Sequence, residues 1–157
     1  MGQGAADAVP YFCGQYRHQL DPKLRLTIPA EWREKVGTPP QFFIVPSVGE
    51  QRLLYAYPAR VMSVKFRNIH NLSMADAKGR NYLRIMGARS ELVGWDSQGR
   101  IRVRDDLLAH ADLTRESGVL LVGNFEGFEL WNPERWAAFA AGIDDQGLLE
   151  ASQYVGV

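Results

Sequence analysis

Two five-residue segments join a carboxylate and a guanidinium at the same spacing: Asp21-Pro-Lys-Leu-Arg25 and Asp96-Ser-Gln-Gly-Arg100. An Asp that opens a tight turn accepts hydrogen bonds from backbone N–H groups two or three residues on. The Arg then starts a short alternating run whose apolar residues are Leu26 and Ile28, or Ile101 and Val103. Its side chain therefore points away from the apolar face. A guanidinium placed there suits bidentate contact with phosphate, or with O6 and N7 of guanine. Lys23 adds a point charge at the tip of the first turn. The spacing by itself favours an Asp–Arg pair that only braces its own turn, a contact that contributes little at a surface.

Other chemistries find less support. Cys13, His18 and Asp21 lie close together and invite a nucleophile–base reading. On a strand, however, positions 13 and 18 project to opposite faces. The chain has no Gly-rich phosphate loop and no Gly-x-Ser-x-Gly elbow. One cysteine and the scattered His18, His70 and His110 lack zinc-ligand spacing. The expectation is a non-enzyme with no cofactor, no metal and no small-molecule substrate. Trp32, Trp95, Trp131 and Trp136 are candidates for a pocket or an interface, with Trp32 and Trp131 read as core.

The elements that carry the two turns repeat. Displaced by 75 residues, Asp21 falls on Asp96, Arg25 on Arg100, Pro58 on Pro133 and Arg60 on Arg135. Each copy reads as an extended run (Phe12 to Leu20; Ala88 to Trp95), the turn, a short strand and a short helix (Pro29 to Val36; Asp105 to Ala111). Two further strands follow, Gln41 to Val45 and Arg52 to Ala56, matched by Val119 to Val122 and Phe128 to Trp131. Pro58 and Pro133 then open helices, where a missing N–H costs nothing.

These runs divide the chain into a first repeat over 11–58, a helical connector over 59–87 and a second repeat with closing helix over 88–141. Flanking them are a flexible extension over 1–10 and a flexible tail over 142–157. Ser73 followed by Asp76 marks a helix start within the connector. The segment Asp76-Ala-Lys-Gly-Arg80 copies the turn motif, but helical periodicity follows it, so Lys78, Arg80 and Arg84 read as a basic helix surface.

The net charge of zero hides an uneven distribution. Gly14 to Ser90 holds 13 Lys and Arg against 5 Asp and Glu; Glu91 to Val157 holds 5 against 12. A basic half beside an acidic half makes a one-sided field, fit either for nucleic acid or for a neighbouring subunit. The lone Cys13, the lack of a secretory signal over Met1 to Pro10, and the lack of a ~20-residue apolar run point to a cytoplasmic protein without a membrane partner.

The segment Tyr16-Arg-His-Gln-Leu-Asp-Pro-Lys-Leu-Arg-Leu-Thr-Ile-Pro-Ala30 resembles the N-terminal half of the MraZ family. Asp96-Ser-Gln-Gly-Arg-Ile-Arg-Val103 and Leu130-Trp-Asn-Pro-Glu-Arg-Trp136 resemble its second half, so the likeness runs from about Phe12 to Ala141. It implies an α+β, β-rich fold: two tandem swapped-hairpin (SpoVT/AbrB-like) small β-barrel units with short flanking helices and a helical connector. It also implies a nucleoid-associated transcriptional regulator that forms a homo-oligomeric ring. Such a ring binds repeated double-stranded promoter sites ahead of a division and cell-wall gene cluster through the Asp-x-x-x-Arg turns.

On that reading Lys23, Arg25, Arg100, Arg17, His18 and Arg102 touch DNA, while Asp21, Asp96 and Gly99 shape the turns. Three departures stand out: Leu24 where the family has Gly, Arg104 where the first copy has Pro29, and a long extension before Tyr11. If position 24 needs φ > 0, Leu24 carries about 1–2 kcal/mol of strain. The alternative function is an oligomeric scaffold or ligand-binding barrel without DNA affinity.

Overall fold

The apolar alternation and the turn signals between the runs build eight strands and six helices among the described residues of the computed structural model, 11–70 and 76–157. The first copy gives β1 (Gln15–His18), β2 (Arg25–Thr27), α1 (Ala30–Lys35), β3 (Gln41–Pro46), β4 (Leu54–Pro58) and α2 (Ala59–His70). After α3 (Ala77–Arg89) the second copy gives β5 (Glu91–Gly94), β6 (Arg100–Arg102), α4 (Asp105–His110), β7 (Val119–Gly123), β8 (Phe128–Trp131) and α5 (Pro133–Ala141). The order of elements in the two copies matches.

The fold is α+β and β-rich, and the copies exchange strands. One antiparallel sheet runs β1-β7-β8-β4-β3-β5, and a separate two-stranded ribbon pairs β2 with β6. β1 of the first copy thus pairs with β7 of the second, while β5 of the second pairs with β3 of the first. The described strands form an open sheet and a ribbon, not a closed barrel, and the two copies share one core. Trp32 anchors that core at 1% exposure, its ring 4.9 Å from Tyr16, 4.8 Å from Phe128 and 5.8 Å from Phe12. Truncating so well packed an aromatic costs about 3–5 kcal/mol.

Because strands of both copies are interleaved in one sheet, the basic and acidic halves of the sequence do not form separate halves of the molecule. The local partners of each charge matter more than the half it comes from.

Three boundaries differ from expectation. The strand expected over Arg52 to Ala56 runs from Leu54 to Pro58, which pairs with Phe42, so the helix opens at Ala59 and not at the proline. The run from Ala88 is not extended at its start: α3 continues through Gly87 to Arg89 and ends where Ser90 N–H donates to Met86 O. A Cβ at Gly87 would meet open space, so this glycine is neither a stop nor a close approach. The segment after Gly142, expected to be a tail of little periodicity, forms α6 (Asp145–Val155). Asp144 caps it by accepting from Gly147 N–H, and Gly156 closes it at φ 79°. Asp76 caps α3 in the same manner, so the segment resembling the turn motif is helical. Ser73 and the extension over 1–10 lie outside the described residues.

Candidate nucleic-acid interface

The β2–β6 ribbon sets its two faces by register. Leu26 lies opposite Ile101, and both are buried at 1% exposure on the core side. Arg25 lies opposite Arg102 and Thr27 opposite Arg100, so strand alternation puts these four side chains on the outward face. Three guanidiniums on six paired residues make this the most cationic short stretch of paired strand.

Each turn is built by the same five hydrogen bonds. In the first, Asp21 N–H donates to Arg25 O and Leu24 N–H to Asp21 O. Oδ1 of Asp21 accepts from the N–H groups of Lys23 and Arg25, and its Oδ2 accepts from Arg25 Nε at 2.7 Å. The second repeats them with Asp96, Gln98, Gly99 and Arg100, the Arg100 Nε to Asp96 Oδ2 distance being 2.9 Å. The backbone N–H of Arg25 first, then its guanidinium and the N–H of Lys23, hold the Asp21 carboxyl below its usual range, against a smaller opposing effect of burial. Arg100 and Gln98 do the same for Asp96. Each guanidinium is thus gripped by its Nε edge, and among the described residues Nη1 and Nη2 of Arg25 have no ion-pair partner.

Leu24 adopts φ 60° where Gly99 adopts φ 78°. Pro22 has therefore not changed the turn type, and Leu24 carries the left-handed strain. Its side chain packs against the core and lines a shallow hollow with Leu108 of α4. Gly99 instead faces Arg33 of α1, whose Cζ would lie 2.6 Å from a Cβ there. Arg33 is held by its Nε–H donating to Ile28 O.

The remaining cations differ in how free they are. Lys23 is exposed and has no ion pair with a described residue. Arg102 donates Nη2–H to Asp105 at 2.7 Å and a further bond to Val103 O. Arg104 pairs with Asp106 at 3.0 Å and donates to the carbonyls of Arg89 and Ser90, so it ties β6 to the end of α3. Arg17 is not part of the ribbon: it lies opposite Leu120, on the far side of the sheet. His18 is half-buried on the Tyr16 side of β1, and burial lowers its pKa. The structure therefore gathers Arg25, Arg100 and Arg102, with Lys23 on the adjoining turn, and leaves Arg17 and His18 on the sheet.

The Asp21–Arg25 and Asp96–Arg100 pairs were among the sequence readings, but the partners of Arg102 and Arg104 were missed. The Arg102–Asp105 pair was signalled by its spacing of three across a strand end. The contact of Arg100 Nη1 with Asp21 Oδ2 at 3.9 Å crosses between copies and had no local signal. Among the described residues no group of three or more His, Cys, Asp or Glu is disposed to hold a metal, and no helix is long and apolar enough to cross a membrane.

Comparison with known proteins agrees with the motifs. A family model described as "MraZ protein, putative antitoxin-like" matches residues 86–153. The "Transcriptional regulator MraZ" of Thermomicrobium roseum is 35% identical over 136 residues, covering 87% of this chain and 92% of its own length. The protein of the same name from Leuconostoc mesenteroides is 34% identical over 134 residues, 85% of this chain and 90% of its own. That from Clostridium acetobutylicum is 28% identical over 147 residues, 93% and 99% of the two chains.

Proposed function

The chain belongs to the MraZ family, and we propose that it is a transcriptional regulator that binds double-stranded DNA through the outward face of the β2–β6 ribbon. The observation that carries this reading is the pair of congruent turns, each presenting an Arg whose guanidinium is already fixed by its own Asp. A free Arg loses about 2 kcal/mol of rotamer freedom when ordered, and prior fixation lowers that cost on binding. The Nη edge of Arg25 is then available for the major-groove face of guanine or for a phosphate, while Nη1 of Arg100 lies 3.9 Å from Asp21. Turn bracing and DNA contact are one device in this reading.

Charge balance argues that one chain alone binds weakly. Lys23, Arg25, Arg100 and Arg102 are offset by Asp21, Asp96 and Asp105 on the same surface. Affinity then comes from several ribbons engaging repeated boxes at once, where effective concentration replaces new contacts. A homo-oligomeric ring on promoter repeats ahead of a division and cell-wall gene cluster, in the cytoplasm at the nucleoid, fits that need. Exposed Ile143, Leu148 and Leu149 around α6, and the open edges of β1 and β5, support assembly. Within each chain the first turn dominates, because Lys23 is unpaired among the described residues while Arg102 is held by Asp105.

The test is fluorescence anisotropy with the DNA upstream of the chain's own gene beside a scrambled duplex, over a range of salt. Specific binding should be tighter and should weaken steeply, by about 0.9 in log–log slope for each phosphate neutralised. Equal, salt-insensitive signals for both duplexes would favour a scaffold. Light scattering should report a mass several times 17.7 kDa.

A further inference from the structure

On the sheet face away from the ribbon, the two copies differ in how they fill equivalent space. In the second copy α5 packs Trp136 and Phe139 against Trp131 of β8, with ring centroids 5.2 and 5.3 Å from it. In the 75-residue register Trp136 and Phe139 fall on Val61 and Val64 of α2, so the first copy carries no aromatic ring at either position. Thus an indole and a phenyl ring are replaced by two valines, and Met62 and Lys65 line the space left beneath α2. Beneath α2 and α3 a cavity of about 480 Å³ remains among the described residues, lined by Phe43, Tyr55, Tyr57, Phe66, Tyr82 and Met86. Protein interiors are otherwise close-packed, and this volume is within the range of small-molecule sites.

The polar groups at the cavity are few and unequal. Glu91 is already committed, since its Oε2 accepts from Arg104 N–H at 2.9 Å. Lys65 is half-exposed, 3.0 Å from Glu126, with Nζ 5.5 Å from the centroid of the Tyr57 ring. An ammonium has three donors, so this one retains capacity for a second acceptor. An apolar body would occupy the aromatic chamber and an anionic group would meet Lys65.

We propose that the cavity between α2, α3 and the β3–β4–β5 face is a binding site for a small single-headed acidic amphiphile, its apolar body among the aromatic rings and its acidic head on Lys65. The proposal goes beyond DNA binding and is tested without DNA. Calorimetric titration of the full chain with decanoate, kept below its micelle concentration, should show saturable binding of one molecule per chain. Decyltrimethylammonium, of similar apolar length and opposite charge, should bind at least about tenfold more weakly, the scale of a charge-assisted contact. Met62→Trp, which puts an indole where a cavity-lining thioether stands, should abolish decanoate binding. Lys65→Met, which keeps the apolar stem, should weaken it about tenfold while leaving the melting curve in place. Absence of saturable decanoate binding overturns the proposal, as does equal affinity for the cationic amphiphile. So does a folded Met62→Trp or Lys65→Met variant that binds like the unaltered chain.

Discussion

Nη1 of Arg100 lies 3.9 Å from Oδ2 of Asp21, so the carboxylate of the first turn reaches the arginine of the second. No reciprocal ion pair joins Asp96 to Arg25 among the described residues. Asp21 therefore orients two guanidiniums and Asp96 one. Asp21→Asn should lower the ratio of specific to scrambled-duplex affinity several-fold, and more than Asp96→Asn does. Competition anisotropy reads this directly, and equal effects of the two changes would show that the cross-copy contact is idle.

The two turns share one backbone but not one environment, which makes substitutions at their third position unequal. Leu24→Gly relieves left-handed strain and loses packing beside Leu108, two effects of about 1 kcal/mol each, so stability should change little. Gly99→Leu gains the same strain and meets Arg33, whose guanidinium lies where the new Cβ must go. It should shift the urea midpoint clearly downward. A midpoint as tolerant of Gly99→Leu as of Leu24→Gly would contradict this.

His110 links three elements. Its Nε2 is 3.1 Å from Ser47 Oγ and its Nδ1 is 3.3 Å from Arg89 Nη2, while Arg52 Nε–H donates to its carbonyl. Burial first, then Arg52 and Arg89, lower its pKa from 6.5. The folded state thus prefers neutral imidazole, and the unfolded chain binds the proton more readily. The stability this provides is present above pH 6.5 and is lost as pH falls below it toward the folded value. Urea unfolding at pH 7.5 and 5.5 should show a smaller loss for His110→Gln than for the unaltered chain, the remainder including His18, also lowered by burial. Identical losses would remove His110 from the account.

Much of this architecture was legible in the sequence because it rests on local signals. The 75-residue displacement aligned Arg25–Thr27 with Arg100–Arg102 and α1 with α4 without a gap. The outward placement of Arg25 and Arg100 followed from the apolar alternation through Leu26 and Ile101. Asp144 and Gly156 were cap signals that could have revealed α6. What was not legible depends on contacts between copies. Exchange of β1 and β5 mixes the basic and acidic halves, and no composition count can show that. Arg17 was grouped with the turn by proximity in sequence, yet its register opposite Leu120 turns it to the far face.

The inequality of the turns predicts an inequality in salt dependence. Lys23→Ala and Arg25→Ala should together reduce affinity and log–log salt slope more than Gln98→Ala and Arg100→Ala. The first pair removes two cations, the second only one. Anisotropy titrations at four or so salt concentrations compare them. A larger loss from the second pair would assign the dominant contact to the second copy.

The central claim is that an Asp-braced arginine reads DNA from the outward face of the ribbon, and Arg25→Ala tests it most directly. Binding of the upstream DNA by this variant, measured by anisotropy beside its circular-dichroism melting curve, should weaken by about 1–3 kcal/mol if Arg25 meets a guanine. The fold should survive, since the side chain lies outside the core. Undiminished affinity, or loss of affinity only through unfolding, would show that the Asp21–Arg25 pair does no more than brace its own turn.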